Sequence, residues 1–296
     1  MTAVTNLPYD PSPKKPDIKL PAGSCDAHCH VFGPAAKFPF APERTYTPVD
    51  APKEKLFALH RLLGIDRSVL VQASCHGTDN SAMLDAIAAS SGKYRGIAMV
   101  GRDIGEAELE KLHEGGVRGV RFNFVSHLGK DADIDAVRAI VEKIRPLGWH
   151  TVVHFDANRL ETLAPVLKSL PVTMVIDHMG RVDASQGTDQ PAFQMLLDLM
   201  EDQRFWVKVC GSERISRAGP PFHDAVPFAR MLVERFTDRI LWGTDWPHPN
   251  IKKDMPDDGA LVDLLPLIAP EEKSIQALLV DNPTRLYWPE AASDRN

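Results

Sequence analysis

Eight short, nearly continuous apolar runs recur along the chain. The runs are Cys25–His30, Ser68–Ser74, Tyr94–Val100, Gly116–Phe124, Trp149–Phe155, Thr173–His178, Phe205–Gly211 and Arg239–Trp246. Strands of a parallel sheet are covered on both faces, and short runs that are apolar at almost every position are typical of them. The pattern therefore predicts eight parallel strands.

The segments between these runs repeat apolar residues three or four positions apart, which is the spacing of one helix face. The predicted helices are Lys53–Leu63, Ser81–Ser91, Glu106–Glu114, Leu160–Leu170, Phe193–Met200, Val226–Phe236 and Glu271–Val280. Strands that alternate with helices over roughly 250 residues predict an α/β protein with a (β/α)8 barrel, also called a TIM barrel. An open doubly wound sheet is the alternative, but no Gly-x-Gly-x-x-Gly follows the first run.

The barrel is predicted to occupy residues 23–290 as a single catalytic domain. Residues 1–22 contain five prolines and few large apolar side chains, so we expect an extended arm on the surface or on a neighbouring subunit. Residues 291–296 are expected to form a tail. An oligomer is compatible with this arm, but the sequence does not predict one.

Composition narrows the classes of function that fit the chain. The formal net charge of −6 disfavours non-specific nucleic-acid binding. Four scattered cysteines without a C-x-x-C pair favour a reducing compartment. We see no basic and apolar leader and no run of 18 apolar residues, so the expectation is a cytoplasmic protein that acts without a membrane.

Polar residues end several of the predicted strands. His28 and His30 are two apart, so they point to the same side of the first strand. His154, His178 and Asp245 end the fifth, sixth and eighth runs. Because functional groups of a barrel gather at the carboxyl ends of its strands, these side chains are predicted to meet.

The predicted alternation along each strand extends this set. Arg121 and Asn123 share one side of the fourth strand, and Ser74 shares a side with His76 just past the second. In the sixth strand, Met174 and Ile176 are predicted to point inward together with His178. A slip of one residue would invert any of these assignments.

Each signal also has a purely structural interpretation. A lone His-x-His pair is weak evidence, Asp245 could be a helix N-cap before a proline, and His154 could be a hydrogen-bonded rim residue. Arg121 could form a salt bridge instead of binding an anion. The convergence of several strand ends on one mouth favours the functional interpretation.

Five motifs give the chain a family likeness, and it resembles the lactonase branch of the amidohydrolase superfamily from about residue 23 to 288. The motifs are Asp26-Ala-His28-Cys-His30-Val-Phe-Gly-Pro, Val71-Gln-Ala-Ser74-Cys-His76-Gly-Thr-Asp-Asn, Gly119-Val-Arg121-Phe-Asn-Phe, Ile176-Asp-His178-Met-Gly-Arg181 and Trp242-Gly-Thr-Asp245-Trp-Pro-His248-Pro-Asn. The histidine pair with a late aspartate marks the superfamily, whereas the second and fifth motifs are specific to the branch.

The resemblance implies hydrolysis of 2-pyrone-4,6-dicarboxylate, a small anionic lactone, to 4-oxalomesaconate or 4-carboxy-2-hydroxymuconate during protocatechuate 4,5-cleavage of lignin-derived aromatics. Asp245 would be the general base, and His28, His30 and His178 would surround the lactone carbonyl. Further substrate contacts are expected from Tyr46, Ser74, His76, Arg121, His127, His154, Arg181, Arg214, Arg217 and His248.

The same His28, His30, His178 and Asp245 could hold one divalent ion such as zinc. Lactonases of this branch act without one, so no cofactor is expected to be obligatory. His127 and His154 stand where the branch commonly has Arg and Tyr, which leaves the exact lactone open. The alternatives are another anionic muconolactone such as 4-sulfomuconolactone, a metal-dependent non-oxidative decarboxylase, or a barrel that binds aromatic acids without turnover.

Overall fold

Eight parallel strands form the centre of the molecule. The computed structural model of the chain describes residues 4–5, 7–129 and 131–293. The strands are β1 Cys25–Cys29, β2 Arg67–Val71, β3 Tyr94–Ala98, β4 Val117–Phe124, β5 His150–Phe155, β6 Met174–Ile176, β7 Phe205–Lys208 and β8 Ile240–Leu241. Each strand pairs with the next one along the chain.

Hydrogen bonds from β1 and the residue after it to the segment that follows β8 close the sheet into a barrel. The amide of Ala27 donates to the carbonyl of Trp242 at 2.8 Å, and the amide of His30 donates to that of Trp246 at 2.7 Å. A closed parallel sheet wrapped by helices confirms the predicted (β/α)8 barrel.

The helices follow the strands, as the apolar spacing predicts. They are α1 Lys53–Leu63, α2 Ser81–Ala89, α3 Glu106–Glu114, α4 Ile134–Ile144, α5 Leu160–Ser169, α6 Pro191–Met200, α7 Ser212–Ile215, α8 Val226–Arg235, α9 Asp258–Val262, α10 Leu265–Ile268, α11 Glu272–Gln276, α12 Asn282–Tyr287 and α13 Pro289–Ser293. The sequence prediction omitted α4 and the short helices α7, α9, α10, α12 and α13, and it ran α11 on through the π-helical turn Ala277–Asp281. Among the described residues, no helix has the length and apolar character to cross a membrane.

The buried apolar residues form two clusters, one inside the barrel and one between the sheet and the helices. Val69, Val71, Val152, Val175 and Trp206 belong to the small interior cluster. The large cluster lies between the sheet and the helices. The alternation of side chains along each strand thus decides which residues reach the barrel axis.

The predicted alternation is wrong for the sixth strand. Met174 and Ile176 pack in the outer layer, and Val175 faces the interior. Asp177 therefore points into the barrel, and His178 reaches the mouth because its backbone turns to a φ of 50°. Periodicity could not show this turn, since it lies just past the end of the strand.

Gly243 allows β8 to approach β1. A Cβ atom at this position would lie 2.4 Å from the backbone nitrogen of His28. This contact is far below van der Waals separation, so only glycine fits where the barrel closes beside the histidine pair.

The proposed arm runs along the outside of the barrel. The amide of Lys14 donates to Asp257 at 2.9 Å, and the amide of Asp17 donates to Asp263 at 2.8 Å. Val4–Thr5 pairs with Tyr46–Thr47 in a small parallel sheet. Residues 1–3, 6 and 294–296 lie outside the described part, so the boundaries of the arm and the tail remain predictions.

Candidate active site

Three histidines surround one oxygen of Asp245 at the carboxyl end of the barrel. Oδ1 of Asp245 lies 3.3 Å from Nε2 of His30, 3.5 Å from Nε2 of His28 and 3.9 Å from Nε2 of His178. All four side chains are buried. The structure thus brings together the four residues that were predicted to be catalytic.

Arg214 occupies the other oxygen of Asp245. Its Nε and Nη2 lie 2.7 Å and 2.5 Å from Oδ2, and its Nη1 donates to the carbonyl of Pro249 at 2.6 Å. Burial alone would raise the pKa of Asp245, but the charge of Arg214 outweighs it and holds that pKa well below its usual range. Asp245 is therefore a carboxylate at neutral pH, with Oδ1 left for chemistry.

The hydrogen bond of His30 to the backbone decides which of its nitrogens faces Asp245. Nδ1 lies 2.7 Å from the carbonyl of Val71, which can only accept, so Nδ1 carries a proton. In neutral His30 the Nε2 atom then presents a lone pair. His30 can accept a proton or ligate a cation on the side of Asp245.

His178 has a thiol as its partner. Its Nδ1 lies 3.4 Å from Sγ of Cys210, and burial holds the pKa of that thiol well above its usual range. A thiol donates and accepts only weakly, so the ring nitrogen available for a strong hydrogen bond is Nε2, which lies on the side of Asp245. Burial also holds the pKa of His178 well below its usual range, which keeps the ring neutral.

A buried ionic network lies beneath His28. Nδ1 of His28 is 2.9 Å from Nζ of Lys208 and 3.1 Å from Oδ1 of Asp177. Oδ2 of Asp177 accepts from Nε and Nη2 of Arg121 at 3.1 Å and 2.9 Å. Burial and then the Lys208 charge lower the pKa of His28 to about 4, so this imidazole is neutral at pH 7.

Left-handed backbone marks several site positions. The φ angles of His178, Arg181 and Asp245 are 50°, 51° and 63°. An L-residue held there costs about 1–2 kcal/mol, and such strain persists where the surroundings fix the conformation. For Asp245 one such contact is its amide, which donates to the carbonyl of His28 at 2.7 Å.

A cavity opens above Asp245, and most of the predicted substrate contacts line it. Its lining residues are His30, Tyr46, Ser74, Arg121, His127, Leu128, His154, His178, Arg181, Arg214, Asp245, Pro249 and Asn250. A second cavity of about 260 Å³ adjoins it and shares Ser74, Arg121 and Leu128. The adjoining cavity therefore has room for a substituent of a bound molecule on the side of Arg121.

The two histidines that depart from the family pattern both line this cavity. Burial, and then the charge of Arg181, lower the pKa of His127 to about 4. Burial followed by the charge of Arg121 holds the pKa of His154 well below its usual range. Both rings are neutral hydrogen-bonding groups at pH 7.

Three residues that were predicted to contact substrate lie elsewhere. His76 contacts the amide of Gly33 and the carbonyl of Pro39. Arg217 pairs with Asp183 at 3.1 Å and has a side chain that is 59% exposed. His248 is fully buried behind the site. Because none of the three lines the cavity, we no longer assign them to substrate.

His248 instead forms a buried ionic cluster. Its Nε2 lies 3.1 Å from Asp258, and its Nδ1 lies 3.7 Å from Glu213. Burial opposes the charge, but Asp258 and Glu213 raise the pKa of His248 to about 10. Glu213 also lies 3.3 Å from Arg214 and so connects this cluster to the residue that holds Asp245.

The sequence interpretation missed Asp177, Lys208 and Glu213. Lys208 gave a usable signal, because a lysine inside the apolar run Phe-Trp-Val-Lys-Val-Cys shares its side with inward-facing Trp206. Asp177 was missed because the predicted alternation of the sixth strand placed its side chain outside the barrel. We find no sequence signal for Glu213.

The donor set at the barrel mouth fits a divalent ion. Ligand atoms of His28, His178 and Asp245 all lie within 4.8 Å of one another, and the Nε2 lone pair of neutral His30 lies 3.3 Å from Asp245. Imidazole nitrogen and carboxylate oxygen are ordinary zinc ligands. Lys208 beside His28 and Arg214 on Asp245 add positive charge that would oppose binding.

Comparison with known proteins supports the barrel and identifies its family. The amidohydrolase family model matches residues 25–288. The chain belongs to the amidohydrolase family. A 2-pyrone-4,6-dicarboxylate hydrolase of Comamonas testosteroni is 54% identical over 96% of this chain and 96% of its own length.

Other amidohydrolase relatives are more distant. A 4-sulfomuconolactone hydrolase of Hydrogenophaga intermedia is 42% identical over 90% of this chain and 89% of its own. The crystal structure of a probable 2-pyrone-4,6-dicarboxylic acid hydrolase from Acinetobacter baumannii, with citric acid bound, superposes with a TM-score of 0.80. The two sequences are 28% identical, and the match covers 90% of this chain and 99% of the other.

Proposed function

We propose that this amidohydrolase is a lactonase, a carboxylic ester hydrolase that opens 2-pyrone-4,6-dicarboxylate to 4-oxalomesaconate or its tautomer 4-carboxy-2-hydroxymuconate. The observation that carries the proposal is Asp245, which is ionised, held by Arg214 and has Oδ1 free among three histidines. The relative that is 54% identical supports the choice of lactone. Such a step fits the protocatechuate 4,5-cleavage route for lignin-derived aromatics.

Water is the nucleophile in this mechanism. Its oxygen bonds to the lactone carbonyl carbon while a proton passes to Oδ1 of Asp245. The carbonyl oxygen becomes an oxyanion, which accepts N–H bonds from those surrounding imidazoles that carry their proton on Nε2. Collapse of the tetrahedral intermediate breaks the ring C–O bond, and the proton returns from Asp245 to the leaving enolate oxygen.

The charges around the cavity suit an anionic substrate. Arg121, Arg181 and Arg214 line it, and each forms an ion pair with one aspartate. The pair with Asp177 uses Nε and Nη2 of Arg121 and leaves Nη1 out. We assign that edge of Arg121 to one substrate carboxylate, and the adjoining cavity offers room for it.

Arg181 is the second candidate for a carboxylate. Its Nε lies 3.3 Å from Asp156, whose Oδ2 accepts from the amide and the hydroxyl of Ser126. Arg214 uses all three nitrogens on Asp245 and Pro249, so we assign it mainly to holding the base. Tyr46, Ser74, His127 and His154 remain as uncharged hydrogen-bonding partners.

We propose that a metal is not obligatory for this reaction. Asp245 accepts the proton from water, and the histidines stabilise the oxyanion without further charge. A zinc ion held by His28, His178 and Asp245 would supply Lewis-acid polarisation of the carbonyl when bound. Activity measured before and after chelation tests this; complete loss with recovery on added zinc would contradict it.

The experiment that tests the function follows the ultraviolet absorbance of the conjugated pyrone. We expect 2-pyrone-4,6-dicarboxylate to lose its absorbance and release one acid equivalent per turnover. 4-Sulfomuconolactone, run in parallel, should give a lower kcat/KM. Evolution of CO₂, or faster turnover of the sulfonated lactone, would contradict the proposed reaction and substrate. Tight binding without turnover would show that the protein binds the pyrone but does not hydrolyse it.

The remaining proposals concern the cellular compartment, the partner and the oligomeric state of the protein. Cys25, Cys29, Cys75 and Cys210 are buried free thiols, which supports a reducing compartment such as the cytoplasm. A small anionic lactone is the proposed partner, and an oligomer through the Pro-rich arm remains open to measurement by light scattering.

A further inference from the structure

Lys208 is a buried cation inside the barrel that the mechanism above leaves without a role. Its side chain is 0% exposed and contacts His28 Nδ1 at 2.9 Å and Asp177 Oδ1 at 3.1 Å. Burying an ammonium group costs several kcal/mol unless charges and hydrogen bonds compensate it. A residue with this cost directly beneath a site histidine needs an explanation beyond packing.

We propose that Lys208 is a positioning residue that fixes His28 in its Nε2–H tautomer, so that His28 offers the active site a hydrogen-bond donor and not a metal-binding lone pair. The tautomer itself follows from the geometry, whereas its effect on catalysis rests on the proposed lactonase function.

The tautomer follows from the inventory of donors. A lysine ammonium group has three hydrogens and no acceptor, so the nitrogen 2.9 Å away must accept. A neutral imidazole carries one N–H, which is therefore on Nε2. Nε2 of His28 lies 3.5 Å from Oδ1 of Asp245, on the side where an oxyanion would form.

A hydrogen bond to Asp177 would favour the opposite tautomer of His28. Oδ1 of Asp177 lies 3.1 Å from the same Nδ1 and would accept a proton there, leaving a lone pair on Nε2. Metal-bound histidines use this arrangement, with a carboxylate behind the ring. Lys208 lies 3.1 Å from the same oxygen, and Arg121 binds the other oxygen, so this carboxylate already has two cationic partners without a proton from His28.

Lys208 therefore selects between two uses of one histidine. With the ammonium group present, Nε2–H can stabilise an oxyanion. Without it, the Nδ1 proton can bind Asp177, and His28 becomes a ligand beside His178 and Asp245. The expectation is that loss of Lys208 lowers lactonase activity and strengthens zinc binding.

The test is nitrogen NMR of histidine labelled with ¹⁵N, with the His28 signals assigned from a His28→Gln variant. We expect the wild-type protein to show a protonated Nε2 and an unprotonated Nδ1 at His28. Lys208→Met keeps the length of the side chain and removes the charge, and we expect the proton to move to Nδ1. A wild-type Nδ1–H tautomer overturns the proposal without any variant.

Kinetics and zinc titration complete the test. We expect Lys208→Met to lower kcat by roughly 100-fold or more, as does loss of one oxyanion donor, with a small change in KM. Zinc should bind the variant at least about tenfold more tightly by calorimetry, since a nearby positive charge is gone. Unchanged kcat, or unchanged zinc affinity, overturns the positioning role.

A matched lysine serves as the control. Lys143 donates to the backbone carbonyls of Arg102 and Ile104, away from the site. Lys143→Met should leave kcat, the His28 tautomer and zinc affinity unchanged. If the wild-type protein fails to open the pyrone, the proposed function falls, while the NMR measurement still decides the tautomer.

Discussion

Arg214 binds one carboxylate oxygen of Asp245 and leaves the other facing the imidazoles of the active site. Nε and Nη2 of Arg214 lie 2.7 Å and 2.5 Å from Oδ2, whereas Oδ1 lies 3.3 Å from Nε2 of His30. One oxygen thus anchors the side chain and the other can take a proton. This division explains how a carboxylate stays ionised and oriented in a buried site.

Replacing Asp245 by Asn tests the base directly. The amide keeps the size of the side chain but cannot accept a proton, so we expect kcat to fall about 10²- to 10⁴-fold. KM should change much less, because the arginines that bind substrate remain. Steady-state kinetics measure both, and circular dichroism reports whether the variant folds; a folded Asp245→Asn enzyme with near-normal kcat would remove Asp245 from this role.

Arg214→Met tests the anchor. The change leaves Asp245 as a buried charge without its partner, so we expect a loss of about 3–5 kcal/mol in the free energy of unfolding at neutral pH. Asp245 has a lowered pKa in the folded protein. The ionised carboxylate therefore adds its full contribution to the free energy of unfolding above the unfolded-state pKa of about 3.9. That contribution is lost as the pH falls through the pKa of the folded protein. Urea unfolding of both proteins measures the difference.

The control for this prediction is an exposed arginine pair. Arg235 lies 2.8 Å from Glu201, and both side chains are largely exposed. Arg235→Met should cost less than about 1 kcal/mol at any pH. If Arg214→Met costs no more than Arg235→Met at neutral pH, the anchoring interpretation is wrong.

The apolar pattern predicted the barrel because each strand is short and buried on both faces. It also brought His28, His30, His178 and Asp245 together, since parallel strands of a barrel end at one mouth. The apolar pattern gave a wrong alternation where the backbone leaves the strand geometry. Strand β6 ends at Ile176, and His178 reaches the site through a left-handed turn. No periodicity reports such a turn.

The contacts within the network beneath the site could not be predicted from the sequence for a different reason. Asp177, Lys208 and Arg121 come from three strands or strand ends, and their contacts depend on how those strands are staggered around the barrel. Arg121 was predicted to bind an anion or to form a salt bridge. The structure shows the salt bridge, which uses Nε and Nη2, and Arg121 also lines the cavity, so the two interpretations are compatible.

Arg121 and Arg217 make a matched pair for the substrate-binding prediction. Arg121 lines the cavity, whereas Arg217 pairs with Asp183 at the surface. A charge-assisted hydrogen bond contributes about 1.5–3 kcal/mol, so we expect Arg121→Gln to raise KM for the dicarboxylate roughly 10- to 150-fold. Arg217→Gln should leave KM unchanged. Equal effects of the two changes would show that Arg121 does not bind substrate.

The buried histidine behind the site predicts how stability depends on alkaline pH. Asp258 and Glu213 raise the pKa of His248 to about 10, against about 6.5 in the unfolded chain. Its stabilising effect is therefore complete below about pH 6.5 and is lost as the pH rises through about 10. The free energy of unfolding should decline across this range in the wild-type protein.

His248→Gln should remove this dependence, because glutamine does not titrate. The difference in unfolding free energy between the two proteins, measured in urea from pH 6 to 10, should be largest at the acid end and shrink toward the alkaline end. Burial raises the pKa of Asp258 above its usual range, and His248 opposes that shift. His223 is exposed, and His223→Gln should follow the wild-type curve. A constant difference between wild type and His248→Gln across the range would mean that His248 is neutral in the folded protein.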